Sequence, residues 1–147
     1  MAISEVCISS ANLVVATLKV AYLIHQHNHW TLTGSNFYQS HLLFQRIYES
    51  ALEDLDTVAE SVQGNLGPVC IDYILQTTLV HRISMKLKDK KGFEQSLEIE
   101  RSLLEVIKEV RECFKREGTL SMGMDNVLAG VSQNRDTAIF LLKQSMV

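Results

Sequence analysis

The breaks between the apolar stripes of this chain fall in a short, long, short order. Apolar residues step by three or four along four long stretches, as one face of a helix does. The first stretch runs from about Ile3 to Leu32 through Ala11, Val14, Leu18 and Tyr22. Thr33-Gly34-Ser35-Asn36 ends it: Gly34 suits a left-handed C-cap, and Ser35 or Asn36 suits the next N-cap. The second runs from about Phe37 to Gln63, with Phe37, Leu43 or Phe44, Ile47, Ala51, Leu55 and Val58 inward. Gly64 to Pro68 stops it, because glycine and proline together cannot continue a helix. The third runs from about Phe93 to Glu117 through Leu97, Leu103, Leu104, Ile107, Val110 and Phe114, and Gly118 caps it. The fourth runs from near Ser121 to about Gln144 through Met124, Leu128, Val131, Ala138 and Leu142.

Tight joins make the first two helices antiparallel, and likewise the last two. The link between the second and third holds roughly 28 residues, within the usual few-residue error of helix boundaries. It is long enough to cross the length of a bundle. Cys70 to about Leu79 predicts a short helix within it, and Lys86 to Gly92 a solvated connection. The expected fold is all-α, a ferritin-like four-helix bundle with a long crossover containing a short helix between helices 2 and 3.

Composition agrees. One proline and seven glycines in 147 residues argue against a turn-rich all-β fold and against disorder. Residues 1–147 make one ordinary domain. A net charge of −3 excludes a simple basic-patch nucleic-acid binder. No window is expected to be long and apolar enough to span a membrane. The segment Met1 to Cys7 lacks a basic residue ahead of an apolar run, so no signal peptide is expected. Three cysteines are too few, and odd in number, for a disulfide framework. Cys70 and Cys113 are expected to be core thiols, and the cytoplasm is the expected compartment.

Few residues carry metal or acid–base chemistry. His25, His27 and His29 alternate, then come His41 and His81. On a helix His25 and His29 share a face with Leu18 and Tyr22, and His27 points away. The second helix carries Glu49, Glu53, Asp54, Asp56 and Glu60. His41, Asp56 and Glu60 line one broad side of it. His41 and Asp56 nevertheless stand about 22 Å apart along a straight helix, at 1.5 Å per residue. Either these residues are unrelated, or a site is shared between two chains. Antiparallel second helices in a two-fold pair would bring His41 of one chain to Asp56 and Glu60 of the other. Imidazole plus carboxylate suits iron or zinc. No glutamate has a histidine three residues later, so the intrachain di-iron signature is missing. There is also no phosphate loop, no Cys-x-x-Cys and no His-Glu-x-x-His.

The stretch from His29-Trp30 through Gly34 and Phe37 to His41, followed by Asp56-Thr57-Val58-Ala59-Glu60, resembles the Dps family of mini-ferritins. The resemblance is tightest over residues 25–60, and the helix pattern of the rest is compatible with it. It implies a hollow shell of twelve subunits that oxidises Fe(II) with hydrogen peroxide or oxygen and stores Fe(III), protecting against oxidative stress. It implies ferroxidase sites between two-fold-related subunits, with His29 and His41 from one chain and Asp56 and Glu60 from the other. Those residues are then both the metal ligands and the catalytic set, with zinc as a possible substitute for iron. Trp30 matches a tryptophan beside the iron site; otherwise it is a large core or interface residue. His25 is a further accessory candidate.

Two positions depart from the family pattern. Gln45 stands where the family has an aspartate ligand, and a neutral amide is the poorer ligand for iron. Leu42 and Arg46 replace neighbouring acids. Weaker iron binding or slower turnover is expected, and the alternative is a cage with a non-catalytic metal site that holds metal or protects DNA. Many family members bind DNA through a lysine-rich terminal tail. Here the first basic residue is Lys19, and Lys86, Lys88, Lys90 and Lys91 form the single basic cluster. Direct DNA binding is therefore not expected.

Overall fold

The computed structural model describes residues 3–147. Met1 and Ala2, the first residues of the segment judged to lack signal character, lie outside the described residues. Five helices follow in order: α1 (Glu5–Thr31), α2 (Phe37–Leu66), α3 (Tyr73–Lys86), α4 (Gly92–Arg116) and α5 (Met122–Ser145). A single 3₁₀ turn, Pro68–Cys70, precedes α3. The four long helices pack as a square: α1 touches α2 and α4, and α5 touches the same two. The crossover helix α3 lies outside, against α1. The expected all-α bundle with one crossover is the observed fold.

Local chemistry starts and stops these helices. Ser4 caps α1 by accepting from the Cys7 amide, and Ser121 caps α5 by accepting from Met124. Asn36 is the N-cap of α2 but makes no side-chain cap bond. After α4 the Gly118 amide bonds the Lys115 carbonyl and Thr119 bonds Phe114. That is the double bond of a Schellman end, and it needs the positive φ of 74° that Gly118 adopts.

The short helix is longer than the sequence suggested. It begins at Tyr73, not Cys70, because Asp72 accepts from the amides of Ile74 and Leu75 and so sets the start. It runs to Lys86, taking in part of the expected connection. Polar contacts dock it: Asn12 Oδ1 accepts from the Asp72 amide and from Gln76 Nε2, both at 2.9 Å. Lys19 Nζ donates to Gln76 Oε1 at 2.7 Å.

Two further expectations fail. First, α1 does contain an 18-residue window long and apolar enough to cross a membrane. Its neighbours explain this: α2, α3 and α4 all cover it, so 61% of that window is buried inside the bundle. A helix covered on most sides reads as apolar all round. Second, Cys113 is not a free thiol. It is bonded to Cys7 across a sequence separation of 106 residues, tying the start of α1 to the end of α4. Only Cys70 is a free, buried cysteine among the described residues.

The bundle interior is not wholly apolar. Asn28 Nδ2 donates to Ser96 Oγ at 2.8 Å, and Ser96 Oγ meets His25 Nδ1 at 2.9 Å. His25 Nε2 meets Glu100 Oε1 at 2.8 Å, and Arg135 Nη1 donates to the same oxygen at 3.1 Å. Arg135 Nη2 donates to Ser50 Oγ at 2.7 Å, and its Nε lies 3.4 Å from Asp54 Oδ2. Asn134 Nδ2 donates to Asp54 Oδ1 at 2.9 Å. The chain of contacts draws on all four long helices. His25, Glu100 and Arg135 are fully buried within it.

Replacing Arg135 by methionine keeps most of the volume but leaves two carboxylates buried without their cation. We expect a loss of about 3–5 kcal/mol, read as a lower urea midpoint. Burial, opposed by the Asn134 bond and the Arg135 charge, raises the Asp54 pKa. The folded chain therefore holds that proton more tightly than the unfolded one. The contribution of Asp54 to stability is full below the ordinary carboxylate value of about 3.9 and is lost as pH rises through the raised value. Asp54→Asn should flatten the fall in stability across that window, measured by urea midpoints at successive pH values.

Candidate metal centre

His29 ends α1 and His41 lies in the second turn of α2, and the tight 32–36 connection folds one back on the other. Their rings stack with centroids 3.6 Å apart and planes 14° from parallel. The Nδ1 of His29 lies 2.7 Å from the carbonyl oxygen of His41, and the Nδ1 of His41 lies 2.7 Å from that of His29. A carbonyl only accepts, so each Nδ1 must carry the proton. The proton on Nδ1 leaves the Nε2 lone pair of both rings free for a metal. The rings are held from both sides: Phe37 lies 5.1 Å from His41 and Tyr48 lies 5.3 Å from His29, centroid to centroid. Tyr22 packs edge-on against Tyr48 at 5.6 Å.

The other expected residues are placed differently. Asp56 and Glu60 are exposed one turn apart on α2, and nothing in the single chain brings them to the histidine pair. His25 does not join the pair: it faces the bundle interior with both ring nitrogens engaged, by Ser96 and Glu100. Both contacts tie α1 to α4. Trp30 is 64% exposed, so it is not a core residue. Gln45, one turn after His41, donates its Nε2 to Glu49 Oε1 at 3.1 Å. The amide oxygen is then the end of Gln45 left for an ion. His27 lies apart from the pair, with Lys88, Lys90 and Lys91 around a surface cavity of about 620 Å³ at the start of α4.

Two residues near the pair carried no role in the sequence reading. Tyr48 closes the imidazole stack, and its position seven residues after His41 would have placed it on the same face. Glu49 orients Gln45, and that contact is an ordinary i, i+4 helix pair. The outer face of α2 also bears Tyr38, Leu42 and Leu52, each about half exposed or more. These three side chains form an exposed apolar stripe on the helix that carries His41, Asp56 and Glu60.

No family profile matches the chain. A nutrient stress-induced DNA-binding protein from Synechococcus is 32% identical over 73 residues, 50% of this chain and 40% of that protein. A protein from Kitasatospora aureofaciens, described only by its position in the bpoA2 5′ region, is 38% identical over 60 residues, 41% of this chain and 39% of that one. The matched segments thus span about two fifths of those relatives. Among solved structures, Dps from Thermosynechococcus elongatus superposes with a TM-score of 0.77 at 16% identity, covering 97% of this chain and 91% of that one. DpsC from Streptomyces coelicolor superposes with a TM-score of 0.74 at 23% identity, covering 100% and 89%. The bundle, its crossover helix and these superpositions agree with the resemblance in the sequence: the chain has the Dps-type, ferritin-like four-helix fold.

Proposed function

We propose that this chain is the subunit of a Dps-type ferroxidase and iron store. The single observation that carries this reading is the reciprocal bonding of His29 and His41, which presents two Nε2 lone pairs side by side. A two-fold partner lying antiparallel along α2 would supply Asp56 and Glu60, turning two half-sites into two whole ones. The half-exposed apolar stripe of α2 supports that contact. Fe(II) is the substrate, and two Fe(II) ions supply the two electrons that reduce one hydrogen peroxide to water. The imidazoles bind and orient the ion, and the partner carboxylates offset the charge it gains on oxidation. Exposed Trp30, next to His29, would lie at the same interface. Twelve subunits in a hollow shell, in the cytoplasm where Fe(II) is available, complete the proposal.

A second reading is a cage that holds zinc or another ion without turnover and contacts DNA. Gln45, held by Glu49 where a carboxylate ligand is expected, favours the first part of it. The cavity bordered by Lys88, Lys90 and Lys91 favours the second. A gel shift at low salt tests the DNA contact, and no retardation there removes it.

The main test mixes apoprotein with Fe(II) and hydrogen peroxide and follows ferric absorbance. Oxidation faster than in buffer, with an iron-loaded shell on gel filtration, is expected; oxidation at the buffer rate overturns the proposal. His41→Ala should weaken zinc binding at the interface by at least about 10–100-fold, the loss that even an outer partner of a ligand brings, read by calorimetry. Gln45→Asp should speed iron oxidation by restoring the missing charge, and an unchanged rate would remove Gln45 from the site.

A further inference from the structure

A second group of ligand atoms lies at the far end of α1. Cys7 is in the first turn of α1 and Cys113 in the last turn of α4, with Cα atoms 5.7 Å apart. Glu117 caps the end of α4 beside them. The two sulfurs and one carboxylate oxygen of Glu117 all lie within 4.8 Å of one another. Along α1 this group is about 33 Å from His29, at 1.5 Å per residue, so it is separate from the histidine pair.

The carboxylate is already aimed. Ser4 N donates to Glu117 Oε1 at 3.2 Å, and Ser4 Oγ donates to Oε2. These two bonds fix the orientation of the Glu117 carboxylate. An oriented carboxylate with a hydrogen-bonded outer partner is what a metal ligand needs. Cys113 also borders a surface cavity of about 410 Å³ whose wall carries Glu105, Glu109 and Glu112 together with Lys108 and Arg116.

Two thiolates and a carboxylate suit a borderline-soft, four-coordinate ion with water in the fourth position. Tetrahedral binding at a metal–sulfur distance of about 2.3 Å separates two sulfurs by about 3.8 Å. Side-chain torsions can open that gap without moving backbones that stand 5.7 Å apart. We propose that Cys7, Cys113 and Glu117 form a redox-gated site for a zinc-class divalent cation, open when the pair is reduced and closed by the disulfide. To open it, a dithiol reductant gives two electrons and two protons to the disulfide and becomes a disulfide itself; the cation then displaces the two thiol protons. To close it, hydrogen peroxide takes two electrons from the thiolates and two protons from solvent. The sulfur–sulfur bond forms, the oxygen–oxygen bond breaks to give two waters, and the cation leaves.

The test uses the full chain with Co(II) as the probe. Protein reduced with a phosphine and freed of excess reductant should show thiolate-to-cobalt charge-transfer absorption, saturating at one ion per chain. The oxidised protein should show none, and one equivalent of peroxide per chain should discharge the band. Cys113→Ser should abolish it. Glu117→Gln changes a partly exposed residue, keeps both thiols and should loosen cobalt by about tenfold or more; circular dichroism checks that each variant is folded. No band in the reduced protein overturns the proposal, as does an undiminished band in Cys113→Ser, which keeps the Cys7 and Cys70 thiols but not the paired site. If Cys113→Ser does not fold, unchanged cobalt retention in Glu117→Gln overturns it instead. The histidine pair cannot produce a sulfur charge-transfer band, so this outcome is independent of the iron reading.

Discussion

A fully buried guanidinium constrains this bundle more than any other group. Arg135 has no route to water, so its charge must be met inside the protein. Glu100 on α4 and Asp54 on α2 meet it, and His25 on α1 shares the Glu100 oxygen. Such a network contributes little net stability against a well-packed apolar core. Its effect is on alignment. Sliding any one long helix by a turn would move its partner by about 5 Å and strand a buried charge. The four helices are therefore held in one register along their length.

That register matters because the histidine pair tolerates little error. Each ring bonds the other's backbone, so His29 and His41 must approach to the thickness of one imidazole. His25 and Asn28, just before His29 on α1, anchor that helix to α4 through Ser96 and Glu100. The last turn of α1 is thereby fixed where the pair forms. The polar core and the candidate metal centre are thus mechanically linked, although they share no atom. Asp56 and Glu60 stay on the exposed face of α2, away from the histidine pair.

The unusual hydropathy of α1 follows from the same packing. It has neighbours on three sides, and its polar residues Asn12, His25 and Asn28 are all bonded inside the protein. Asn12 anchors the crossover helix and Asn28 the start of α4. The disulfide fixes the opposite end. A helix with the composition of a membrane span is here the central post of the bundle.

The sequence by itself determined the four long helices and the crossover, because periodicity, glycine and the single proline act within a few residues; it placed a left-handed C-cap at Gly34, whereas α1 ends at Leu32 in an extended conformation. The family resemblance singled out His29 and His41, and the tight turn between α1 and α2 brings their rings together. The sequence did not determine the extent of α3, which rests on Asp72 bonding both its own helix and Asn12. It did not say which residues would meet His25, because a helical face does not say which helix will cover it. It left Cys113 unpaired, because Cys7 is 106 residues away and only packing of α1 on α4 makes them adjacent. The partners of Arg135, Asp54 and Glu100, are likewise distant in sequence. Local geometry is written in spacing along the chain; contacts between distant residues are decided only when the helices choose their neighbours and register.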